Sequence, residues 1–404
     1  MTVQRIAIVG GGQAASVATR TLRRRGYDGS IVLLGDETER PYQRPPLSKE
    51  YLTDRDESSL WLLPQEWTDA HGVEVRLGVS AKRINAAAGC VELDDGSSVN
   101  ADAVLIATGG RVRRLPGLEG SRIHYLRTKA DADRLGDAIG PGAKVIIVGA
   151  GFIGAEVASS ARSMGADVTV VEVSPVPLQR VLGNRLGEMC AGLQRDAGVD
   201  LRLGVPVNGV RELGDGVVVD TPNGSIVGDI VVVAIGIIPN QEIAEASGLE
   251  VGNGILVDEY CRTSAPNVYA AGDVANHYHP LFNTRMRVEH FDNASKQASA
   301  AANNMIWRET RFVDPHWFWS DQFGANLQCI GHPSPEDDMV VRGSVEARDF
   351  SAFFIRNSRV RAAFAVNRGE DISIARELIT SGVVIARHTL ADPDADLFEA
   401  LETV

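Results

Sequence analysis

The feature that most constrains this chain is a short apolar strand that runs into a glycine-rich turn and then into a helix. Residues 145–156 read VIIVGAGFIGAE, so Gly149, Gly151 and Gly154 form a G-x-G-x-x-G pattern. Between a strand and a helix this pattern is typical of dinucleotide binding, because the glycines permit a tight turn and let a pyrophosphate approach the backbone. The helix N-terminus beyond the turn offers free N–H groups to phosphates. The stretch therefore predicts a dinucleotide site, with a purely structural turn as the alternative.

A second predicted strand, residues 167–171, follows that helix and leads to Glu172. Glu172 stands where a carboxylate accepts hydrogen bonds from the adenosine ribose of a bound dinucleotide. A ribose 2′-phosphate would instead require a basic residue nearby, and Val173 and Ser174 follow here. The pattern therefore favours NADH over NADPH in this module.

The same arrangement occurs at the start of the chain. A predicted strand over residues 5–9 leads to Gly10 and Gly12, with Ala15 as a permitted third residue of the pattern. A later predicted strand delivers Asp36, which corresponds to Glu172; the alternative for Asp36 is a solvated loop carboxylate. The chain therefore contains a second candidate dinucleotide module.

The two modules also match at their far ends. Residues 91–109 and 217–236 each contain a hairpin turn with glycine as its second residue, followed by a buried strand. This internal repeat predicts two bound dinucleotides. A chain of this kind most economically passes a hydride from a nicotinamide dinucleotide to tightly bound FAD.

The order of the elements predicts an α/β fold with two Rossmann-like nucleotide-binding domains of the glutathione-reductase type and a small α+β C-terminal domain. We expect a discontinuous FAD-binding domain over residues 1–111 and 241–318, with an NADH-binding domain over 112–240 between its halves. The C-terminal domain is expected over residues 319–404.

Charge and hydropathy exclude two classes of partner. The formal net charge of −13 argues against nonspecific binding of nucleic acid. The longest apolar run, residues 230–239, is too short to span a bilayer, so no membrane partner is expected. Because residues 1–6 run directly into the first predicted strand, we expect a cytoplasmic protein.

The cysteines argue against an internal thiol relay. Cys90, Cys190, Cys261 and Cys329 are far apart in the sequence, and none belongs to a C-x-x-C pair or to a Cys/His cluster with zinc-like spacing. The sequence therefore predicts no metal site. Flavin-dependent disulfide reductases need a redox-active cysteine pair, and a peroxidatic enzyme of this layout would need a cysteine within residues 40–52, where none occurs. Electrons must therefore leave for an external acceptor.

Several longer strings carry a more specific resemblance. They are the segment PYQRPPLSK at 41–49, the tripeptides at 107–109 and 271–273, the spaced residues from Glu289 to Gln297, and FWSDQ at 318–322. With the two glycine turns, they make the chain resemble the oxygenase-coupled NADH:ferredoxin reductases, the FAD proteins that include putidaredoxin reductase and the reductase components of aromatic-ring dioxygenases. The resemblance covers nearly the whole chain.

The resemblance implies two cofactor sites. FAD is expected at Gly10, Gly12, Ala14, Ala15, Asp36, Arg44, Lys49, Thr108, Arg111, Asp273, Glu289 and Trp319. NADH is expected at Gly149, Gly151, Phe152, Ile153, Gly154, Glu156, Glu172 and Gly236. Within these sets Lys49, Glu156 and Trp319 are the implied catalytic residues.

For some of these residues a purely structural role remains an alternative. Lys49 and Arg111 could be surface charges, Glu156 could pair with the helix dipole, and Trp319 could be a core residue. The chain also departs from the family pattern, with Phe291 where tryptophan is usual and Ala298 where glycine is common.

The implied activity is electron transfer from NADH through FAD to a [2Fe–2S] ferredoxin that feeds a cytochrome P450 or a Rieske-type oxygenase. We expect a monomer or weak dimer, and an arginine patch for the acidic ferredoxin drawn from Arg285, Arg287, Arg308 and Arg311. Two alternatives stay open: an NADH oxidase or quinone reductase, and a redox-signalling flavoprotein of the apoptosis-inducing-factor type.

Overall fold

The computed structural model describes residues 3–402, which contain both parallel and antiparallel sheets. The strands, in chain order, are β1 (Arg5–Val9), β2 (Ser30–Leu34), β3 (Val73–Arg76), β4 (Ala81–Asn85), β5 (Cys90–Leu93), β6 (Ser98–Asn100), β7 (Ala103–Ile106), β8 (Gly110–Val112), β9 (Ile123–His124), β10 (Lys144–Val148), β11 (Asp167–Glu172), β12 (Asp200–Leu203), β13 (Gly209–Leu213), β14 (Gly216–Thr221), β15 (Gly224–Gly228), β16 (Ile230–Val233), β17 (Ile237–Pro239), β18 (Ile255–Val257), β19 (Val268–Ala270), β20 (Ala275–His279), β21 (Thr284–Arg287), β22 (Trp317–Gln322), β23 (Ala325–Gly331), β24 (Asp338–Ser344), β25 (Asp349–Arg356) and β26 (Arg359–Val366).

The helices, in chain order, are α1 (Gln13–Arg24), α2 (Glu50–Asp54), α3 (Gln65–Ala70), α4 (Lys129–Ala138), α5 (Phe152–Ser163), α6 (Gln179–Asp196), α7 (Glu242–Ala246), α8 (Phe291–Met305), α9 (Gly369–Ser381), α10 (Arg387–Ala391) and α11 (Leu397–Glu402), with a 3₁₀ turn at Pro45–Ser48. No helix within residues 3–402 is both long and apolar enough to cross a membrane.

The described chain divides into two compact units. Unit 1 contains the chain through Gln43 together with Glu57–Arg111 and Ile237–His316. Its main sheet has five parallel strands in the order β19-β7-β1-β2-β3. Two three-stranded sheets, β4-β5-β6 and β18-β20-β21, accompany it.

Burial on both faces explains the continuous apolar run of β1. Ile6 and Ile8 belong to one hydrophobic cluster, which also holds alanines of α1 and α8, whereas Ala7 and Val9 belong to another. Successive side chains of a strand point to opposite faces, and parallel sheets are covered on both. The strand therefore needs apolar residues at every position that the two clusters cover.

Unit 2 contains Arg44–Asp56, Val112–Gly236 and the described chain from Trp317 onward. Its parallel sheet has five strands in the order β12-β11-β10-β16-β9, with a three-stranded antiparallel sheet β13-β14-β15. A second five-stranded sheet, β22-β23-β26-β25-β24, is antiparallel and packs against α9. Phe350 and Phe364 fill its core.

The predicted fold class is confirmed, since both glycine turns lie in β-α-β units and the C-terminal segment is α+β. The strands before the turns, at Arg5–Val9 and Lys144–Val148, agree with the sequence pattern to within a residue. Residues 44–56 group with unit 2 rather than with the rest of the first predicted domain. The three-domain division stays a prediction.

Candidate functional site

The first glycine turn connects β1 to α1 within unit 1. Gly10 has φ +128°, and a Cβ there would lie 2.1 Å from the carbonyl oxygen of Ala107. Only glycine therefore fits this position. Gly12 caps α1, and Ala14 and Ala15 behind it are 7% and 0% exposed, so Ala15 takes the place of the third glycine in close packing.

The second glycine turn connects β10 to α5 within unit 2 and has the same construction. Gly149 has φ +106°, and a Cβ there would lie 2.4 Å from the carbonyl oxygen of Ala234. A Cβ at Gly154 would lie 2.1 Å from the carbonyl oxygen of Gly149. Gly149 and Gly154 are therefore required by close backbone contacts.

Both turns also offer space and donors for phosphates. A Cβ added at Gly12 or Gly151 would meet no atom within 4 Å, so each turn faces open space. Neither α1 nor α5 has a side-chain cap or an acidic residue in its first turn. Their N-terminal N–H groups and positive dipole ends are therefore available to an anion. These features fit the pyrophosphate of a dinucleotide.

Glu172 lies at the end of β11 and joins that strand to the second glycine turn. Its Oε2 accepts a hydrogen bond of 2.7 Å from the Ala150 N–H, and its Oε1 accepts one of 2.8 Å from the Ser174 N–H. A carboxylate accepts about four hydrogen bonds, so capacity for two more remains. The carboxylate is thus held rigidly beside the turn. Asp36, its counterpart after β2, is exposed.

The other predicted FAD residues of unit 1 form two groups. In the first, the Thr108 hydroxyl donates to the Asn240 carbonyl at 2.7 Å, and Arg111 donates to the Asn240 amide oxygen at 2.9 Å. Arg111 also forms an exposed ion pair with Glu242 at 2.7 Å. Asn240, which the sequence motifs did not single out, therefore ties Thr108 and Arg111 together.

The second group is organised by Arg287, whose side chain is only 10% exposed. The guanidinium pairs with Glu289 at 2.7 Å and donates to the Asp273 carbonyl at 3.1 Å. Next to Asp273, the Gly272 N–H donates to Gln297 Oε1 at 2.9 Å. Arg287 thus orders two predicted site residues, and its guanidinium is not free for a docking partner.

Of the remaining arginines proposed for docking, Arg285 is also used within unit 1. It donates to the carbonyl oxygens of Val257 and Asn276 at 3.0 and 3.3 Å. Arg308 donates to the Arg25 carbonyl, and the half-exposed Arg311 lies 3.5 Å from Glu259. Arg308 and Arg311 are exposed.

Unit 2 brings together two predicted catalytic residues that are distant in sequence. The Lys49 ammonium lies 2.7 Å from Glu156 Oε2, and the two side chains are 15% and 4% exposed. The Ser48 hydroxyl donates to Glu156 Oε2 at 2.5 Å, and the Ser320 hydroxyl donates to Oε1 at 2.6 Å. The buried carboxylate therefore has three donors, and Ser48 and Ser320 are site residues that sequence reasoning missed.

The third predicted catalytic residue, Trp319, lies on β22 next to Ser320. Its ring stacks on that of Trp317, with centroids 5.3 Å apart and an angle of 22° between the planes. Trp317 in turn donates from its indole N–H to Gln328 at 3.1 Å. The two stacked indoles are half-buried on β22, while Ser320 points into the core.

The remaining predicted residues lie as follows within unit 2. Phe152 begins α5 and meets the Phe318 ring edge-on with centroids 4.6 Å apart, while the neighbouring Ile153 is 46% exposed. Arg44 donates to the Arg127 carbonyl at 2.6 Å. Gly236 has φ +95°, and its carbonyl accepts from the Arg113 N–H.

Burial argues against a redox role for three of the four cysteines. All four are free thiols, and Cys190, Cys261 and Cys329 are buried. Burial raises the pKa of the Cys190 and Cys329 thiols to about 12 and also raises that of Cys261. Since the thiolate is the reactive form, these cysteines are inert at neutral pH.

Comparisons with known proteins agree with this arrangement. The family model of the pyridine nucleotide-disulphide oxidoreductases matches residues 4–298, and that of the reductase C-terminal domain matches 317–401. The chain is 39% identical over 402 residues to the anthranilate 1,2-dioxygenase system ferredoxin–NAD(+) reductase component of Burkholderia cepacia, covering 98% of this chain and 99% of that protein.

Two solved structures are similar over nearly the full length. The covalent putidaredoxin reductase–putidaredoxin complex matches with a TM-score of 0.95 and 34% identity, over 99% of this chain and 98% of that one. The ferredoxin reductase for the CYP199A2 system of Rhodopseudomonas palustris matches with a TM-score of 0.93 and 34% identity, over 98% and 99%. The predicted resemblance to ferredoxin reductases is confirmed. The chain belongs to the pyridine nucleotide-disulphide oxidoreductase family and carries a reductase C-terminal domain.

Proposed function

We propose that this protein is an NADH-dependent ferredoxin reductase, with FAD as its bound cofactor, that delivers electrons to a [2Fe–2S] ferredoxin serving an oxygenase. The main support for this proposal is that the chain combines two glycine turns of the dinucleotide-binding type with four cysteines that form no disulfide. A chain built to exchange electrons between two nucleotides, but without a thiol relay, needs an external acceptor. Full-length similarity to ferredoxin reductases makes a ferredoxin the preferred acceptor.

The turn at Gly10 is assigned to FAD and the turn at Gly149 to NADH, following the family resemblance. The exposed Asp36 carboxylate suits the ribose hydroxyls of FAD. Glu172 supports NADH, because its negative charge, fixed by two backbone N–H groups, would repel a 2′-phosphate. Bound FAD supplies the conversion of a two-electron hydride into single electrons.

Lys49 and Glu156 are assigned to positioning and electrostatics. Hydride transfer needs no acid or base from the protein, so a fixed positive charge is the useful contribution here. Glu156 and the Pro45 carbonyl hold the Lys49 ammonium at 2.7 and 3.2 Å, and the two serine hydroxyls fix Glu156. Assignment of Arg44, Lys49 and Trp319 to the flavin stays a prediction from the sequence, as does a monomeric or weakly dimeric state.

Steady-state reduction of cytochrome c, with and without an added [2Fe–2S] ferredoxin, tests the proposed activity. We expect turnover with NADH to depend on the ferredoxin and to exceed turnover with NADPH. A Glu172→Arg variant should lower the NADH/NADPH ratio of kcat/KM by about tenfold or more, because a repulsive charge becomes an attractive one. Asp200→Arg, an exposed change at the start of the next strand, is the matched control.

Equal turnover with oxygen or a small quinone, independent of ferredoxin, would instead support an NADH oxidase or quinone reductase. Reduction by NADH without fast turnover on any acceptor would support a signalling protein.

A further inference from the structure

Three histidines form a buried cluster in unit 1 that the electron-transfer function does not use. His277 and His279 are alternate residues of β20, so both side chains point to the same face of that strand. His316 comes from the segment between α8 and β22. The three side chains are 1%, 0% and 3% exposed. One ring nitrogen of each lies within 4.8 Å of the others.

The hydrogen bonds of the cluster resemble those around metal ligands. His279 Nε2 lies 2.9 Å from the Asp314 carbonyl, which can only accept, so Nε2 carries the proton and Nδ1 carries the lone pair. A histidine that binds a metal commonly donates its other N–H to a backbone carbonyl in this way. His277 Nε2 and His316 Nε2 lie 3.1 Å apart, close to the spacing of about 3.3 Å between two ligands of a tetrahedral zinc ion.

The cluster also contains polar atoms that the protein leaves unsatisfied. Nδ1 of His277 and Nδ1 of His279 are buried without a hydrogen-bond partner. Such atoms are rare in folded proteins and often mark an ion or a water molecule.

The surroundings of the cluster are apolar. The Phe312 ring lies 5.2 Å from the His277 ring and 5.6 Å from the His279 ring, and Phe282 lies 4.7 Å from His279. The charges that act on the cluster are Asp314, which favours a cation beside His279, and Arg285, which opposes one beside His277. An apolar shell limits solvent access and lowers the local dielectric around an ion that imidazole nitrogens hold.

We propose that His277, His279 and His316 bind a divalent transition-metal ion of the Zn²⁺ class, with a water molecule as the fourth ligand. Three imidazoles with one open position are a known coordination of zinc. A tetrahedral zinc ion places its ligand nitrogens about 3.3 Å apart, and one ring nitrogen of each of the three histidines lies within 4.8 Å of the others. The ion satisfies the lone pair of His279 Nδ1 and joins β20 to the segment before β22.

The test uses full-length flavoprotein without a histidine tag, stripped with a chelator and then titrated with Zn²⁺ or Co²⁺. We expect about one high-affinity equivalent of Zn²⁺ by elemental analysis after desalting, and the visible bands of four-coordinate Co²⁺. Zinc should also raise the melting temperature of the stripped protein. His279→Gln keeps an N–H donor for the Asp314 carbonyl but lacks the ligand, so its Zn²⁺ affinity should fall at least about 100-fold.

His388→Gln is the matched control, because His388 is exposed on α10. Flavin absorbance and circular dichroism report whether each variant is folded. The proposal is overturned if the wild-type protein retains less than about a tenth of an equivalent and shows no four-coordinate Co²⁺ spectrum. It is equally overturned if folded H279Q binds as tightly as wild type, or if H388Q loses the same affinity. Because the wild-type measurements suffice, misfolding of H279Q does not remove the test.

Discussion

At the scale of single residues, the most informative contact is the buried Lys49–Glu156 pair. A carboxylate that is 4% exposed is stable only because Lys49, Ser48 and Ser320 donate to it. Removing one partner of a buried ion pair leaves an uncompensated charge, which costs more than the pair itself contributes. The pair is therefore a constraint on folding as well as a candidate part of the site.

We expect Glu156→Gln to lower the free energy of unfolding by about 3 kcal/mol, because the Lys49 ammonium loses its charged partner. The double variant Lys49→Met with Glu156→Gln should recover at least half of that loss. Urea unfolding followed by circular dichroism measures both, with the exposed Glu66→Gln as control. A loss in the double variant equal to the sum of the single losses would contradict the coupling.

At the scale of elements, the same turn uses its glycines for different reasons. Gly154 is needed where α5 crosses the backbone of the turn, whereas Gly151 borders open space. Gly151 also has φ −75°, which any residue adopts. One glycine thus serves packing, and the other serves access to the helix N-terminus.

Gly154→Ala should destabilise the protein by about 2 kcal/mol or more, because its methyl group would overlap the Gly149 carbonyl. Gly151→Ala should leave the melting temperature within a few degrees of wild type but weaken NADH binding by about tenfold. Thermal melting and NADH titration separate the two effects. Equal melting temperatures for both variants would contradict this division.

The edge strand β9 carries a buried histidine, His124, that should make the stability of the fold depend on pH. Burial, and secondly Arg134, lower the pKa of His124, and its Nε2 has no hydrogen-bond partner. The unfolded chain therefore binds a proton more readily, so stability falls as the pH drops below about 6.5.

In urea unfolding between pH 7.5 and 5.5, His124→Leu should lose less stability than wild type, by up to about 1.4 kcal/mol per pH unit. The exposed His388→Leu should follow wild type. If the free energy of unfolding of His124→Leu changes with pH as steeply as that of wild type, the pKa of His124 is not lowered in the folded protein.

At the scale of the whole molecule, the proposed route of the electrons depends on the cysteines as well as on the two nucleotide sites. The buried thiols pack as small apolar side chains, and their raised pKa values keep them protonated. Electron transfer through an internal disulfide would need at least two reactive thiols close together.

A variant with all four cysteines replaced by alanine should keep ferredoxin-dependent turnover within about threefold of wild type, while each buried replacement costs about 1 kcal/mol of stability. Cytochrome c reduction below the melting temperature measures this. A fall of two orders of magnitude in a folded variant would implicate a thiol and overturn the proposed electron route.

The sequence by itself determined the features that neighbouring residues specify. The strand, glycine turn and helix at Gly10 and Gly149 are local in the chain, so apolar runs and glycine positions sufficed to predict them and the α/β class. Asp36 and Glu172 could be proposed for the same reason, since their spacing from the turns is set by one helix and one strand.

Only the tertiary structure decided which distant residues meet. Lys49 and Glu156 are 107 positions apart, and His277 and His316 are 39 positions apart, so no local pattern relates them. The histidine cluster could not be found by a search for zinc-like spacing, because such spacing is a local criterion and the three histidines meet only in the folded chain. Arg287 was proposed for the docking patch for the same reason, because its burial and its ion pair with Glu289 arise from packing that the sequence does not show. Such contacts are set by the packing of distant segments, so they cannot be predicted from the spacing of residues along the chain.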